Sequence, residues 1–224
     1  MNNVRNGAIE AVIFDLGGVL IDFDFEIAIS LAANSAGISS SEVRQRLFTA
    51  PVFEAFERGE ISPPAFHAEL QTMLGCQIPY ADFCTAWNGI FTDEIEGNLK
   101  LLRELRARGV KIGILSNTNA LHFEYLRERM QVLRELDHVY ASHEIGARKP
   151  EPEAFRRVLA RMSVAPEKAL FIDDYDQNVM AAQSVGMKTI LAINHLAVLK
   201  GCAEFGLISG NGSATPSSRG VCLE

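Results

Sequence analysis

The chain has 224 residues, 48% of them hydrophobic and 22% charged, and a formal net charge of −7. That is room for one large domain, or for a core domain with a smaller insert, in the composition of an ordinary soluble protein. The acidic balance argues against nucleic acid or an anionic membrane surface as the main partner, while a small phosphorylated metabolite can still bind locally.

The first element is "AVIFD" (11–15), a short apolar run ending in an acid. Glu10 and Asp15 interrupt the N-terminal apolar stretch, so no signal peptide is expected, and every apolar run falls far short of the ~20 residues that span a bilayer. Next comes a segment of different character, residues 23–96. "EIAISLAANSAG", "SSEVRQRLF", "PPAFHAELQTML" and "YADFCTAWNGIF" read as helices separated by Gly, Pro and Ser breaks, with no buried-strand run among them. An all-helical insert directly after a first strand is expected to form a cap.

The remainder alternates. In "NLKLLRELRARG", Leu99, Leu102 and Leu105 share one face and Gly109 supplies a stop. "KIGILSN" (111–117) is a second buried-strand pattern, and 138–142 a weaker one. In "EPEAFRRVLARM", Phe155, Val158, Leu159 and Met162 follow helical spacing, with Pro152 in the first turn. "ALFIDD" (169–174), a helix opening at a possible Asp176 cap and ending at Gly186, and "KTILAI" (188–193) complete the set. Strands alternating with helices predict an α/β fold, a Rossmann-like doubly wound parallel sheet. The expected division is core 1–22, α-helical cap 23–96, core 97–205 and a Gly/Ser-rich flexible tail 206–224. Cys76, Cys84, Cys202 and Cys222 lack tight metal spacing, so a reduced, cytoplasmic protein is expected, as monomer or homodimer.

In an open parallel sheet, ligands bind beyond the carboxyl ends of the strands. Those ends carry Asp15, Ser116-Asn117 and Asp173-Asp174, and the loop after the weaker strand carries Arg148-Lys149-Pro150. Alone, a strand-end Asp is as often a turn residue as a catalyst, and Ser116 is as readily a helix cap. Together they make a chemistry. Three converging carboxylates repel unless neutralised by a cation, and an all-oxygen site suits Mg²⁺. A carboxylate beside the ion can attack phosphorus, while Lys149 and the Ser116 hydroxyl hold the phosphoryl oxygens.

"FDLGGVL" (14–20), "ILSNTN" (114–119), "GARKPEP" (146–152) and "FIDDYDQN" (171–178) resemble, in order, the four motifs of the haloacid dehalogenase (HAD) superfamily. The helical insert sits where that family places a C1-type cap. Within the family, "FDLGGVLIDFD", "RGEIS", "LSNTNALH" and "ASHEIGARKPEPEAF" are most similar to the bacterial α-D-glucose-1-phosphate phosphatases. The resemblance implies Asp15 as nucleophile and magnesium ligand, Gly17 as a ligand through its carbonyl, and Asp174 as a direct ligand. Asp173 would orient a bound water or join the shell. Ser116 and Asn117 would contact the phosphoryl group, and Lys149 would bridge it to Asp15.

Most phosphatases of that family have an Asp two residues after the nucleophile, which protonates the leaving group and activates water. Gly17 can do neither, a loss worth ~10²–10⁴-fold. Three readings follow. A phosphatase could pass protons through water, Asp22, Asp24 or His122, or act on a good leaving group such as an anomeric sugar phosphate, glucose 1-phosphate for example. A 2-haloacid dehalogenase needs no acid for halide, but has no use for the paired Asp173-Asp174. A catalytically weak binding or regulatory protein would not need the full constellation. Glu57, Arg58 and Trp87 are candidates for reading the substrate from the cap, although Arg58 could equally be a solvated pair and Trp87 a core residue.

Overall fold

A computed structural model describes residues 8–136 and 138–209; residues 210–224 of the expected tail lie outside the described residues. In chain order the elements are β1 (Ala11–Phe14), β2 (Ile21–Phe23), α1 (Glu26–Ala36), α2 (Ser40–Thr49), α3 (Pro51–Glu57), α4 (Pro63–Leu74), α5 (Tyr80–Asn88) and β3 (Phe91–Glu94). Then follow α6 (Glu96–Ala107), β4 (Lys111–Ser116), α7 (Ala120–Arg129), α8 (Gln131–Glu135), β5 (Val139–Ala141), α9 (Ser142–Ile145), α10 (Pro152–Met162), β6 (Ala169–Asp173), α11 (Asp176–Ser184), β7 (Lys188–Leu191) and α12 (His195–Glu204).

The main sheet has the order β5-β4-β1-β6-β7, and every pairing in it is parallel. Strand β1 lies in the middle and is buried throughout, because successive side chains serve opposite faces. Val12 and Phe14 join Leu99, Leu102 and Leu105 of α6 and Val198 of α12 in one core. Ala11 and Ile13 join Phe155, Val158, Leu159 and Met162 of α10 and Ala182 of α11 in the other. Helices therefore cover both faces, and the α/β doubly wound expectation holds. No helix among the described residues is long and apolar enough to cross a membrane.

Helices α1 to α5 enclose a third apolar core of their own, with Phe56, Phe66 and Trp87 at its centre. The Phe56 and Phe66 rings stack 4.3 Å apart, and Ser39 and Ser62 cap α2 and α4 by accepting from Glu42 and Ala65 N–H. This stretch is not helical at its ends. Strands β2 and β3 pair antiparallel, with Ile21 opposite Glu94 and Phe23 opposite Phe91, and tie its entry to its exit. Two such short strands leave too few residues for a period-2 pattern to show. A second difference is small: Tyr175, not Asp176, is the N-cap of α11, and Asp176 is its first helical residue.

Candidate active site

Because β1, β4 and β6 run side by side in one direction, Asp15, Ser116 and Asp173 emerge together at one edge of the sheet. The loop between α9 and α10 brings Lys149 beneath them. Its ammonium group is buried and lies 2.6 Å from Asp15 Oδ1 and 2.7 Å from Asp173 Oδ2. Asn117 holds this lysine by its backbone: its amide donates to Lys149 C=O at 2.8 Å, and its Oδ1 accepts from Lys149 N–H at 2.7 Å. Asp173 is itself clamped, accepting from Tyr175 N–H at 2.8 Å and from Asn178 Nδ2 at 3.0 and 3.1 Å. Asn178 stands in the "FIDDYDQN" stretch without having been singled out by sequence; its register on α11 aims it at Asp173. Leu16 N–H donates to Asp15 Oδ1 at 2.6 Å, so these contacts converge on one oxygen of Asp15, a residue that lines the cavity.

Asp174 is exposed at the cavity mouth. Gly18, with φ of +73°, allows its approach, since a Cβ there would lie 2.2 Å from Asp174 Oδ2. Oxygens of Asp15, Asp173 and Asp174 all lie within 4.8 Å of one another. Burial raises Asp15 to about 8; Lys149 opposes this and Asp173 adds to it. Asp174 is raised by burial and then by Asp173. Burial alone would lower Lys149, but its two carboxylate partners outweigh that and raise it. Three crowded carboxylates sharing one ammonium group leave negative charge that a hard divalent cation, bound through oxygen, neutralises. The donor set fits Mg²⁺.

At Gly17 a Cβ would stand 2.9 Å from Phe23 Cε1, so an aromatic ring occupies the space beside the missing side chain. Of the residues considered for proton transfer, Asp22 is exposed on β2, and Asp24 accepts from Glu26 N–H at 2.8 Å at the start of α1. His122 lines the cavity, but both ring nitrogens are engaged: Nε2 with Trp87 C=O at 2.8 Å and Nδ1 with the Asn119 amide at 3.1 Å. Its ring stacks on Trp87 at 5.1 Å, pinning α5 to α7.

Burial lowers His122 to about 4, with the Trp87 hydrogen bond acting against the shift. The unfolded chain, at 6.5, takes up a proton that the folded one refuses, so stability falls as pH drops from 6.5 towards 4. Such a shift corresponds to about 3 kcal/mol. His122→Gln should be less stable at pH 7 yet lose less on acidification, read by urea unfolding at pH 7 and pH 5.

The cavity over this floor measures about 670 Å³ and reaches to α2 and α3. Glu57 lines it and pairs with Arg148 at 2.8 Å, whereas Arg58 is not among the lining residues and pairs with Glu54 at 3.2 Å and with Glu151. Trp87 is buried in the core of the helical segment.

Among curated proteins, a sesquiterpene phosphatase of Aspergillus oryzae is 29% identical over 208 residues, covering 90% of this chain and 97% of that protein. A D-ribitol-5-phosphate phosphatase of Bacteroides thetaiotaomicron is 28% identical over 188 residues, covering 81% and 90%. Among solved structures, a HAD family enzyme of Bacteroides thetaiotaomicron in complex with magnesium and inorganic phosphate superimposes with a TM-score of 0.71 at 29% identity, covering 81% of this chain and 92% of that one. The model of the haloacid dehalogenase-like hydrolases matches residues 9–186, the span that holds Asp15, Ser116, Lys149, Asp173 and Asp174. With Asp15, Ser116, Lys149 and Asp174 lining one cavity and Asp173 buried against Lys149, the chain belongs to the haloacid dehalogenase-like hydrolases.

Proposed function

We propose that the protein is a Mg²⁺-dependent phosphatase that hydrolyses the phosphomonoester of a small metabolite through an aspartyl-phosphate on Asp15. The observation that carries this reading is Lys149, buried and shared between Asp15 and Asp173, with Asp174 beside them. Asp15 and Asp174 would hold the ion, with the Gly17 carbonyl beside them; Asp173, occupied by Lys149, Tyr175 and Asn178, positions the lysine and borders the ion. The bound ion supplies positive charge against the phosphoryl oxygens.

Asp15 Oδ2 attacks phosphorus, and the bridging P–O bond breaks as the new one forms. Lys149 and the Ser116 hydroxyl hold the charge on the equatorial oxygens. Asn117 keeps Lys149 in place through its backbone and offers its own N–H at the end of β4. The departing alkoxide takes its proton from water, since Gly17 has none to give. A second water cleaves the aspartyl-phosphate and releases phosphate. A halide-releasing reaction makes no use of the crowded acids beside Asp15, which favours phosphoryl transfer.

Helices α1 to α5 act as a cap of the C1 type, divided from the core near residues 22 and 97, whose closure excludes water. The motif likeness and the D-ribitol-5-phosphate phosphatase support a sugar or polyol phosphate, glucose 1-phosphate included. The sesquiterpene phosphatase supports a hydrocarbon one.

Magnesium should stabilise the folded protein by about 2.7 kcal/mol once it stands about a hundredfold above its dissociation constant. Differential scanning fluorimetry should show a melting point several degrees higher in Mg²⁺ than in EDTA, with phosphate release only in Mg²⁺. Equal melting points and equal release would remove the metal from the reading.

A further inference from the structure

The aromatic part of the cavity wall tells what departs with the bridging oxygen. Phe23, Phe25, Phe48 and Phe53 form one continuous aromatic strip, with successive ring centroids 5.9, 5.1 and 5.2 Å apart and each pair edge-on. All of them line the cavity. Phe23 and Phe48 remain 44% and 37% exposed, so the strip offers apolar surface that the fold itself leaves open to water. It begins next to the reacting centre, because the Phe23 ring fills the space beside Gly17. The charged groups that also line the cavity pair with one another: Arg148 lies 3.0 Å from Glu54 and 2.8 Å from Glu57.

Resting on the phosphatase reading above, we propose that the substrate is the monophosphate ester of a hydrocarbon-bodied alcohol, alkyl, prenyl or aryl, whose chain lies along this strip. A polyol laid there would give up water at each hydroxyl and meet ring edges in return. A hydrocarbon chain gains from leaving water. The chemistry balances as for any ester here: the Asp15–phosphorus bond forms, the ester P–O bond breaks, the alkoxide is protonated by water, and water then releases phosphate from Asp15. A cavity of about 670 Å³ holds a chain of that kind together with its phosphate.

The test is phosphate release from ethyl, butyl, hexyl and octyl phosphate in Mg²⁺, with D-ribitol 5-phosphate as a polar primary ester. Beyond the first carbons these esters share one leaving-group acidity, so chain length reads the wall alone. Values of kcat/KM should rise roughly three- to fourfold per buried methylene, mostly through KM, and octyl phosphate should exceed D-ribitol 5-phosphate. Phe23→Ala and Phe48→Ala, both at exposed positions, should each lower the octyl-to-ethyl ratio. A flat series with D-ribitol 5-phosphate preferred would overturn the proposal while leaving a phosphatase. No release from any ester, p-nitrophenyl phosphate included, would overturn the phosphatase reading and the proposal with it.

Discussion

Asp15→Asn lowers phosphate release by roughly 10⁴-fold or more, because the amide cannot open the covalent step. The same substitution leaves the fold standing. Asn matches Asp in shape, its Oδ1 can still accept from Leu16 N–H and Lys149, and it removes a carboxylate that burial and Asp173 have already pushed up to about 8. The expected outcome is therefore a variant with near-native urea unfolding and background turnover. Retained turnover would show that some other group attacks phosphorus.

Lys149→Met has a different signature, because it damages stability as well as activity. The lysine is 2% exposed and is the cation between Asp15 and Asp173. Removing it leaves two buried carboxylates facing each other, and breaking a buried pair in this way costs about 3–5 kcal/mol. The pH dependence identifies the cause. Lys149 is what opposes the burial that already raises Asp15, so without it the folded-state proton affinity of Asp15 climbs further above that of the unfolded chain, and the folded variant gains stability as pH falls. The deficit measured by urea unfolding in EDTA should be smaller at pH 5 than at pH 8. A deficit independent of pH would indicate lost packing against Phe171, whose ring centre lies 5.5 Å from the ammonium group.

The core sheet was legible because its strands are buried on both faces and read as unbroken apolar runs, as in Val12 to Phe14 or Leu170 to Ile172. Once those strands are parallel neighbours, the meeting of Asp15, Ser116 and Asp173 follows from topology. The β2–β3 pair was not legible: Asp22 and Asp93 lie exposed in strands too short for alternation, and only the closing of residues 21–94 on themselves pairs them. The separate tasks of neighbouring acids were also out of reach. Asp173 and Asp174 are adjacent and chemically identical, yet one is clamped at the end of β6 and the other exposed beside Gly18. His122 shows the same limit in reverse. A histidine near a cavity invites a proton-transfer role, and only its two hydrogen bonds reveal a structural one.

The most direct test of the central claim is mass spectrometry of the peptide containing Asp15, from protein acid-quenched during turnover of a phosphomonoester in Mg²⁺. The account predicts a phosphoryl group on Asp15 that appears with substrate, decays when substrate is exhausted and is absent from Asp15→Asn. Full-rate phosphate release with Asp15 unmodified at every quench time would contradict it.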